Sequence, residues 1–498
     1  MSALPIPLYT AAQVRELDRR AIEAHGIPGA ELMERAGAAV LETLRVRYPR
    51  ARRLAIACGP GNNGGDGYVV ARRARAAGLE ATVLVLGRAP TTGDAAVMRR
   101  RAESARIACR PFAPALLEGA DLVVDALLGT GLQRAVEGEW RAAIEAINAC
   151  GLPVVAVDVP SGLDADTGAV MGAAVRARAT VSFIGLKAGL FTGDGPDHAG
   201  EVLFDDLGAP AAIYEHLTPA ARRLVPERLR ALVRPRLRNA HKGSFGHVLV
   251  VGGGPGMAGA ARLCGEAALR AGAGLVTAAV HPANVATVNA ARPEMLAFGV
   301  RGAKELAPLL ARASVVALGP GLGRDAWARG VWRAALAARL PLVVDADALN
   351  LLAEDPVRRE GWILTPHPGE AGRLLERSGA EVQRDRFAAV RALHGRFGGV
   401  CLLKGAGTLI AGAEGVWLCD RGNPGMASGG TGDVLTGVIA ALRAHGLAAL
   451  DAARLGAWVH AAAGDDAAAE GEAGLIASDL YPYIRRRLNR LAHDDAAS

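Results

Sequence analysis

The sequence predicts an α/β fold made twice in tandem, and three observations carry that prediction. Short runs that are apolar throughout alternate with stretches of helical period, the pattern of parallel strands covered on both faces. The predicted strands end in glycine-rich loops that hold polar residues, which is where open parallel sheets bind ligands. The pattern stops and restarts across a proline-punctuated stretch, and 498 residues exceed one ordinary core.

Taken in order, Thr10 caps a helix that runs to about His25, with Val14, Leu17, Ala21 and Ile22 on one face and Gly26 ending it. A second helix is expected near 30–44, where Leu32, Met33, Ala36, Val40 and Leu44 keep the same spacing. The period then changes. Residues 54–58 read as a buried strand, followed by the loop 59–67 (GPGNNGGDG) and a helix to about Ala77. Further strands are expected at 82–86, 122–126 and 154–159. The stretch 217–239 carries Pro219, Pro226 and Pro235 in an arginine-rich run and reads as a solvated connector. A second set of strands follows at 247–251, 275–279, 315–318, 342–345, 363–364 and 400–404, with a helix near 258–271.

The candidate site residues fall just past strand ends. In the first half these are the loop 59–67, Asp125 with Gly129-Thr130-Gly131, and Asp158 with Ser161. Glycines let a backbone approach phosphate closely, and the Asn, Asp and Ser side chains offer oxygens to a cation or a ribose. Gly59, Gly61 and Gly64 match the spacing GxGxxG, a weak signal alone, and no hydride transfer is expected of this loop. Lys187, in the run FIGLKAG over 183–189, is a weaker candidate and has a solvated lysine as its plain alternative. In the second half the strand ends carry Gly319–Gly323 in sequence (GPGLG), Asp345, His367 with Glu370, and Lys404-Gly405-Ala406-Gly407-Thr408.

The most informative stretch is Asn423-Pro424-Gly425-Met426-Ala427-Ser428-Gly429-Gly430-Thr431-Gly432-Asp433. It leads into a helix whose apolar face is Leu435, Val438, Ile439 and Leu442. Such a loop aims unblocked N–H groups and the positive end of the helix dipole at one spot, which suits phosphate oxygens. Asp433 is the wrong group for a plain anion hole. It makes sense as a base that takes the proton of a substrate hydroxyl lying beside a phosphate. Lys404, in a chain with only four lysines, would supply a point charge to nucleotide phosphates. The set reads as a phosphoryl-transfer site.

Composition excludes several classes. The formal charge of +7 is spread along the chain without a basic stripe interleaved with aromatics, so no nucleic-acid partner is expected. No apolar run nears ~20 residues and no signal pattern opens the chain, so neither a membrane span nor secretion is expected. Cys58, Cys109, Cys150, Cys264, Cys401 and Cys419 lack metal spacing and several sit in apolar strands, which suits free thiols in a reducing cytoplasm.

The motifs GPGNNGGDG, DALLGTGL and VDVPSGLDADTG, in that order, resemble the NAD(P)H-hydrate epimerase family, the YjeF N-terminal type of Rossmann-like domain, over residues 1–216. The resemblance implies a parallel-sheet sandwich binding a hydrated nicotinamide dinucleotide at Asn62, Asn63, Gly64, Gly65 and Asp66. It also implies binding at Gly129, Thr130, Gly131, Leu132, Gln133, Arg134 and Ala135, and at Asp158. K+ is implied at Asn63, Asp125 and Ser161, with Asp158 as acid–base residue and Lys187 near it. The motifs HKGSFGHVLVVGG, GAGLVT, GPGLG, VDADAL, LTPHPGE, LKGAGT and ASGGTGDVLTG resemble the ribokinase-like NAD(P)H-hydrate dehydratases over residues 226–498. That resemblance implies nucleotide at Lys404, Gly405, Ala406, Gly407 and Thr408, and at Asn423, Gly429, Gly430, Thr431 and Gly432. It implies substrate near Ala260, Gly321, His367 and Asp433, with ADP (or ATP) and Mg2+ as cofactors. Met257-Ala258 stands where an aromatic is common in that family.

The expected protein is thus a cytoplasmic bifunctional enzyme, homo-oligomeric, that epimerises NADH and NADPH hydrates and dehydrates the S epimer. Two rivals come from other classes. One is a kinase of a vitamin-precursor alcohol, marked by a stable phosphorylated product. The other is a first domain that is a non-catalytic ligand-binding or scaffolding module; a pure scaffold would have no use for the polar ring of residues 62–66, Asp125 and Asp158.

Overall fold

Seven parallel strands form the sheet of the first half: β1 (Arg53–Cys58), β2 (Glu80–Val85), β3 (Ala108–Pro111), β4 (Leu122–Ala126), β5 (Val154–Val157), β6 (Ala179–Phe183) and β7 (Glu201–Asp205). Their order is β3-β2-β1-β4-β5-β6-β7, so the direction of winding reverses between β1 and β4. Ligands of open α/β sheets bind outside the strand ends at such a reversal. β4, β5 and β6 are buried along their whole length; β3, β6 and β7 were not among the strands expected from the sequence. The computed structural model describes residues 4–290 and 292–493. The chain divides into two compact units, Met1–Arg222 and Arg223–Ser498, so the ends of the expected domains at 1–3 and 494–498 lie outside the described residues.

The first helix is Ala11–Glu23, capped by Thr10 in a capping box with Gln13, and it buries Val14, Leu17 and Ala21. The second is Gly29–Arg47. The glycine-rich stretch differs from expectation. Only residues 59–61 are loop, because the helix Asn62–Ala76 begins inside the run. A Cβ on Gly64 would stand 2.0 Å from the carbonyl oxygen of Gly59, so this glycine serves the close approach of helix to strand. β5 also stops short of the expected residue 159, since Asp158 has φ +65, a left-handed conformation that ends a strand.

The second unit has β8 (His247–Val251), β9 (Leu275–Val280), β10 (Leu296–Gly299), β11 (Val315–Leu318), β12 (Leu342–Val344), β13 (Trp362–Leu364), β14 (Val400–Leu403), β15 (Thr408–Gly412) and β16 (Gly415–Cys419). They lie in the order β16-β15-β14-β13-β12-β11-β8-β9-β10. β8 to β14 are parallel to their neighbours, whereas β14, β15 and β16 pair antiparallel. The sequence reading did not foresee β10, β15 or β16. The helix Thr431–Ala444 is the centre of the core and packs on the helix Ala258–Arg270. A Cβ on Gly437 would lie 2.0 Å from the carbonyl oxygen of Cys264, so the helices touch backbone to backbone.

The connector is less solvated than expected. Leu224 and Leu229 are 4% and 3% exposed within the second unit's core, and Arg223 Nε donates to Asp420 at 2.9 Å. Burying two leucines is worth about 3–6 kcal/mol, enough to hold such a segment in place. All six cysteines are free. Cys58, Cys264, Cys401 and Cys419 are buried, Cys109 is exposed and Cys150 lies between. Among the described residues no helix is long and apolar enough to cross a membrane.

Candidate active sites

At the reversal of the first sheet lies a cavity of about 950 Å³. Its wall includes Asn62, Asn63 and Asp66 from the helix after β1, residues Gly129 to Arg134 from the loop after β4, and Asp158 after β5. The sequence reading therefore named residues from separate strands that the fold brings to one cavity. Gly64, Gly65 and Ala135 are not on the wall: the two glycines are buried in the helix, and Ala135 is exposed. Gly61 caps that helix without a side-chain bond, and the first N–H group of the ladder to find a backbone acceptor is that of Gly65, which reaches Gly61. Open N–H groups in the first turn of a helix suit an anion.

Lys187 corrects its plain alternative. It is fully buried rather than solvated, and its ammonium pairs with an Asp158 oxygen and donates to the carbonyl of Phe183 at 3.0 Å. The same Asp158 oxygen accepts from the Phe183 N–H at 3.2 Å. A non-glycine residue in left-handed backbone costs about 1–3 kcal/mol, and the lysine pair holds the carboxylate where that turn puts it. Burial pushes the Asp66 carboxyl well above its usual range, and the nearby Asp158 and Asp18 add to the shift.

Asp125, Asn63 and Ser161 form a knot beneath the cavity. Asp125 accepts from the Ser161 N–H at 2.8 Å, from its hydroxyl at 2.6 Å and from the Leu127 N–H at 3.3 Å. Burial still raises its carboxyl to about 6. Asn63 donates to the Leu128 carbonyl at 3.1 Å, but its own side-chain oxygen is buried without a partner among the described residues. A buried acceptor left unmade costs about 1–3 kcal/mol, and a cation with oxygen ligands would relieve it.

In the second unit four ionisable groups converge where β12, β13 and β14 end. Lys404 Nζ donates to Asp345 at 2.7 Å and lies 3.8 Å from Glu370. The helix start comes up against them: a Cβ on Gly432 would be 3.1 Å from Lys404 Nζ and 3.7 Å from Asp345. Asp433 is therefore in the first turn of the helix beside the cluster. Burial raises its carboxyl to about 7, with Asp345 adding and Lys404 opposing. Glu370 is likewise raised to about 7 by burial, with Lys404 opposing.

The loops around the cluster are tied down. Asn423 accepts from the Gly425 N–H at 3.0 Å and donates to Asp465 at 3.2 Å. Gly430 has φ +93, and the Thr431 hydroxyl donates to the carbonyls of Ser428 (3.0 Å) and Met426 (3.1 Å). Gly429 lies between these anchors. The fully buried Arg386 donates to the carbonyls of Lys404 (3.2 Å) and Gly407 (3.5 Å), drawing the turn from Gly405 through Ala406 to Thr408 around its guanidinium. His367 caps the helix Pro368–Leu375, its Nδ1 accepting from Gly369 at 3.0 Å. Burial lowers its pKa, with the charges of Lys404 and Arg373 adding, which favours the neutral ring. Ala260 and Gly321 meet: a Cβ on Gly321 would lie 3.0 Å from that of Ala260 and 2.8 Å from that of Met257.

A cavity of about 1370 Å³ in this unit lies away from the cluster and is lined by residues such as Arg236, Phe245 and His445. Size is not what singles out the candidate site. Convergent charge at strand ends does. Sequence reasoning named Asp345 and Glu370 only as strand-end residues and missed Arg386 and Asp18. Asp18 had a readable signal, since it stands four residues after Val14 and three before Ala21, a carboxylate on an otherwise apolar helix face.

A family profile described as NAD(P)H-hydrate dehydratase matches residues 248–486. A second, described as YjeF-related protein N-terminus, matches residues 29–189. The chain is 47% identical over 485 residues to the bifunctional NAD(P)H-hydrate repair enzyme Nnr of Coxiella burnetii, covering 97% of this chain and 99% of that one. With the protein of the same name from Escherichia coli it shares 43% over 490 residues, covering 98% and 95%. Among solved structures, a ribokinase-like superfamily protein of Enterococcus faecalis matches with a TM-score of 0.51 and 27% identity, over 55% of this chain and 98% of its own.

Proposed function

The chain belongs to the family of bifunctional NAD(P)H-hydrate repair enzymes, an epimerase joined to a dehydratase, and from that premise we propose how its residues divide the work. In the second unit Asp433 removes the proton from the hydroxyl of the S hydrate. The freed oxygen attacks the terminal phosphate of the nucleotide, the β-phosphate when ADP is used, and AMP leaves. Hydroxide is a poor leaving group and phosphate a good one. The phosphate departs with push from the ring nitrogen, the iminium so formed loses a proton from the adjacent ring carbon, and NAD(P)H is restored. ATP would serve in the same way through its own terminal phosphate.

The observation that carries this reading is the approach of Gly432 and Asp433 to Lys404 and Asp345, which puts a base, an ammonium and open helix N–H groups at one place. The Lys404–Thr408 turn and the loop from Asn423 to Gly432 would hold the nucleotide, and Ala260, Gly321 and His367 the substrate. Among the described residues no group of three or more His, Cys, Asp or Glu is arranged to hold a metal ion. Mg2+ would arrive on the nucleotide's phosphates, as it commonly does, and no step is assigned to it.

In the first unit Asp158, held by Lys187, is the acid–base residue of epimerisation, and the open turn at Asn62–Asp66 takes the dinucleotide's phosphates. The orphaned Asn63 oxygen, with Asp125 and Ser161, suits K+, which would fix the loop after β4 by charge alone. The free buried thiols accord with a cytoplasmic setting. A homo-oligomer is the assembly we expect, which light scattering measures.

The test is direct. Chemically hydrated NADH with ADP or ATP should regain reduced-nicotinamide absorbance while one AMP (or ADP) forms per turnover. Accumulation of a stable phosphorylated product would favour the kinase reading instead.

A further inference from the structure

Asp18 lines the first cavity together with Asp66, Asp158 and Lys187. Asp158 has its partner in Lys187. Asp18 has no such partner among the described residues: its carboxyl is subject to burial and to the charges of Lys187 and Asp158. Placing an unpaired carboxyl on the apolar face of a helix weakens the fold. A proton-transfer site has a use for it.

Epimerisation at the hydrated carbon sets a geometric demand. When the hydroxyl leaves one face and water returns on the other, one carboxyl cannot serve both faces without moving. The reaction calls for an acid at the departing oxygen and a base at the arriving one. Resting on the reading of Asp158 as one of these, we propose that Asp18 is the second acid–base residue of the epimerase site.

The step balances. Asp18 as carboxylic acid gives its proton to the substrate hydroxyl. The C–O bond breaks, its electron pair leaves on water, and the ring nitrogen's lone pair forms the iminium. A second water adds from the opposite face, forming the new C–O bond, and its surplus proton passes to the Asp158 carboxylate. One water leaves, one enters, and one proton has moved from Asp18 to Asp158. Reverse turnover or exchange with solvent resets the pair. Burial, with Asp158 adding and Lys187 opposing, pushes the Asp18 carboxyl up to about 6, near the range where an acid cycles at neutral pH. Burial, with Asp158 and Asp18 adding, also pushes the Asp66 carboxyl well up, which favours its acid form as a hydrogen-bond donor.

The full chain tests this without nucleotide, by following interconversion of the separated epimers of hydrated NADH. Asp18→Asn should slow interconversion by roughly two to four orders of magnitude. Binding of the hydrate by calorimetry and nucleotide-dependent dehydration of the S epimer should stay unchanged in the same preparation. Asp18→Glu should recover part of the rate, and wild-type turnover in H2¹⁸O should label the new hydroxyl. Wild-type interconversion in Asp18→Asn would overturn the proposal. So would a loss matched by lost binding, an arrest in Asp66→Asn but not in Asp18→Asn, or epimerisation without label. If the wild-type chain does not interconvert the epimers at all, the epimerase reading itself falls, and this proposal with it.

Discussion

The ammonium of Lys404 lies 2.7 Å from a carboxylate oxygen of Asp345, although β13 runs between the strands that end at these two residues. The other Asp345 oxygen accepts from the Thr436 hydroxyl at 2.7 Å, and the side chain is 1% exposed. Lys404 is thus fixed in place before any nucleotide arrives. Lys404→Ala would leave a buried carboxylate uncompensated, a loss of about 3–5 kcal/mol for a fully buried pair. The lysine keeps 20% of its side chain exposed, so we expect the low end of that range, about 3 kcal/mol in denaturant melts. In steady-state kinetics the KM for ADP should rise more than that for the hydrate. The reverse would move Lys404 to the substrate side.

Asp433→Asn should lower dehydration by roughly two to four orders of magnitude while nucleotide binding persists. A base works only when ionised, and Asp433 sits at about 7, so the wild-type rate should climb as pH rises through that region and level off above it. Glu370, also at about 7, shares the neighbours Asp345 and Lys404, so the observed midpoint belongs to the pair. The substitution should abolish the climb. Near-normal turnover in the variant would sink the role given to Asp433.

Stability should run the other way with pH. The unfolded Asp433 releases its proton in the ordinary carboxylate range, whereas the folded one holds it to about 7. Between those limits the folded state binds more protons, so this group's contribution is full below the window and lost as pH rises through it. Asp433→Asn cannot ionise. Its unfolding midpoint in urea should fall less steeply across the window and lie above the parent's at the alkaline end. Parallel slopes would show that the carboxyl is not desolvated as the fold implies.

Replacing K+ by Na+ should lower the melting temperature of the first unit as well as its epimerase rate, because the Asn63 oxygen loses the ligand that suits it. Asn63→Leu removes the acceptor and should erase the difference between the two salts. A K+ increment that survives in Asn63→Leu would place the ion elsewhere.

Much of both sites was legible because strand ends announce themselves. Apolar runs that stop at glycine and carboxylate located Asp125, Asp158, Asp345 and Lys404, and the break before an amphipathic run located Asp433. What stayed hidden was set by tertiary contact. Nothing local distinguishes the buried Lys187 from a surface lysine until Asp158 is seen against it. Arg386 looks like any helical arginine, yet it fastens the Lys404 turn. The hairpin of β15 and β16 escaped because KGAGT was read as loop to its end, whereas Thr408 already pairs with Cys419. The signal that sequence alone did offer and that went unread was Asp18 on its apolar helix face.

The two units should also work apart, provided the cut respects their contacts. A cut after residue 216 would remove the Thr218 carbonyl that accepts from Gln13 at 2.7 Å, and the residues that pair with Pro7 and Leu8. A start at residue 226 would discard Leu224, 4% exposed, and the Arg223–Asp420 ion pair. Losing one buried leucine alone costs about 1.5–3 kcal/mol, so fragments 1–222 and 223–498 should outlast 1–216 and 226–498 in thermal melts. Given nucleotide and a mixture of both epimers, fragment 223–498 should convert the S portion quickly and then stall at the rate of spontaneous epimerisation. Fragment 1–222 added in trans should release the stall, and Asp158→Ala in that fragment should abolish the release. If fragment 223–498 consumes both epimers at equal rates, the first unit is not needed as an epimerase. If Asp158→Ala releases the stall as well as the parent does, the epimerase stands, and its proton chemistry must be sought at Asp18 or Asp66 instead.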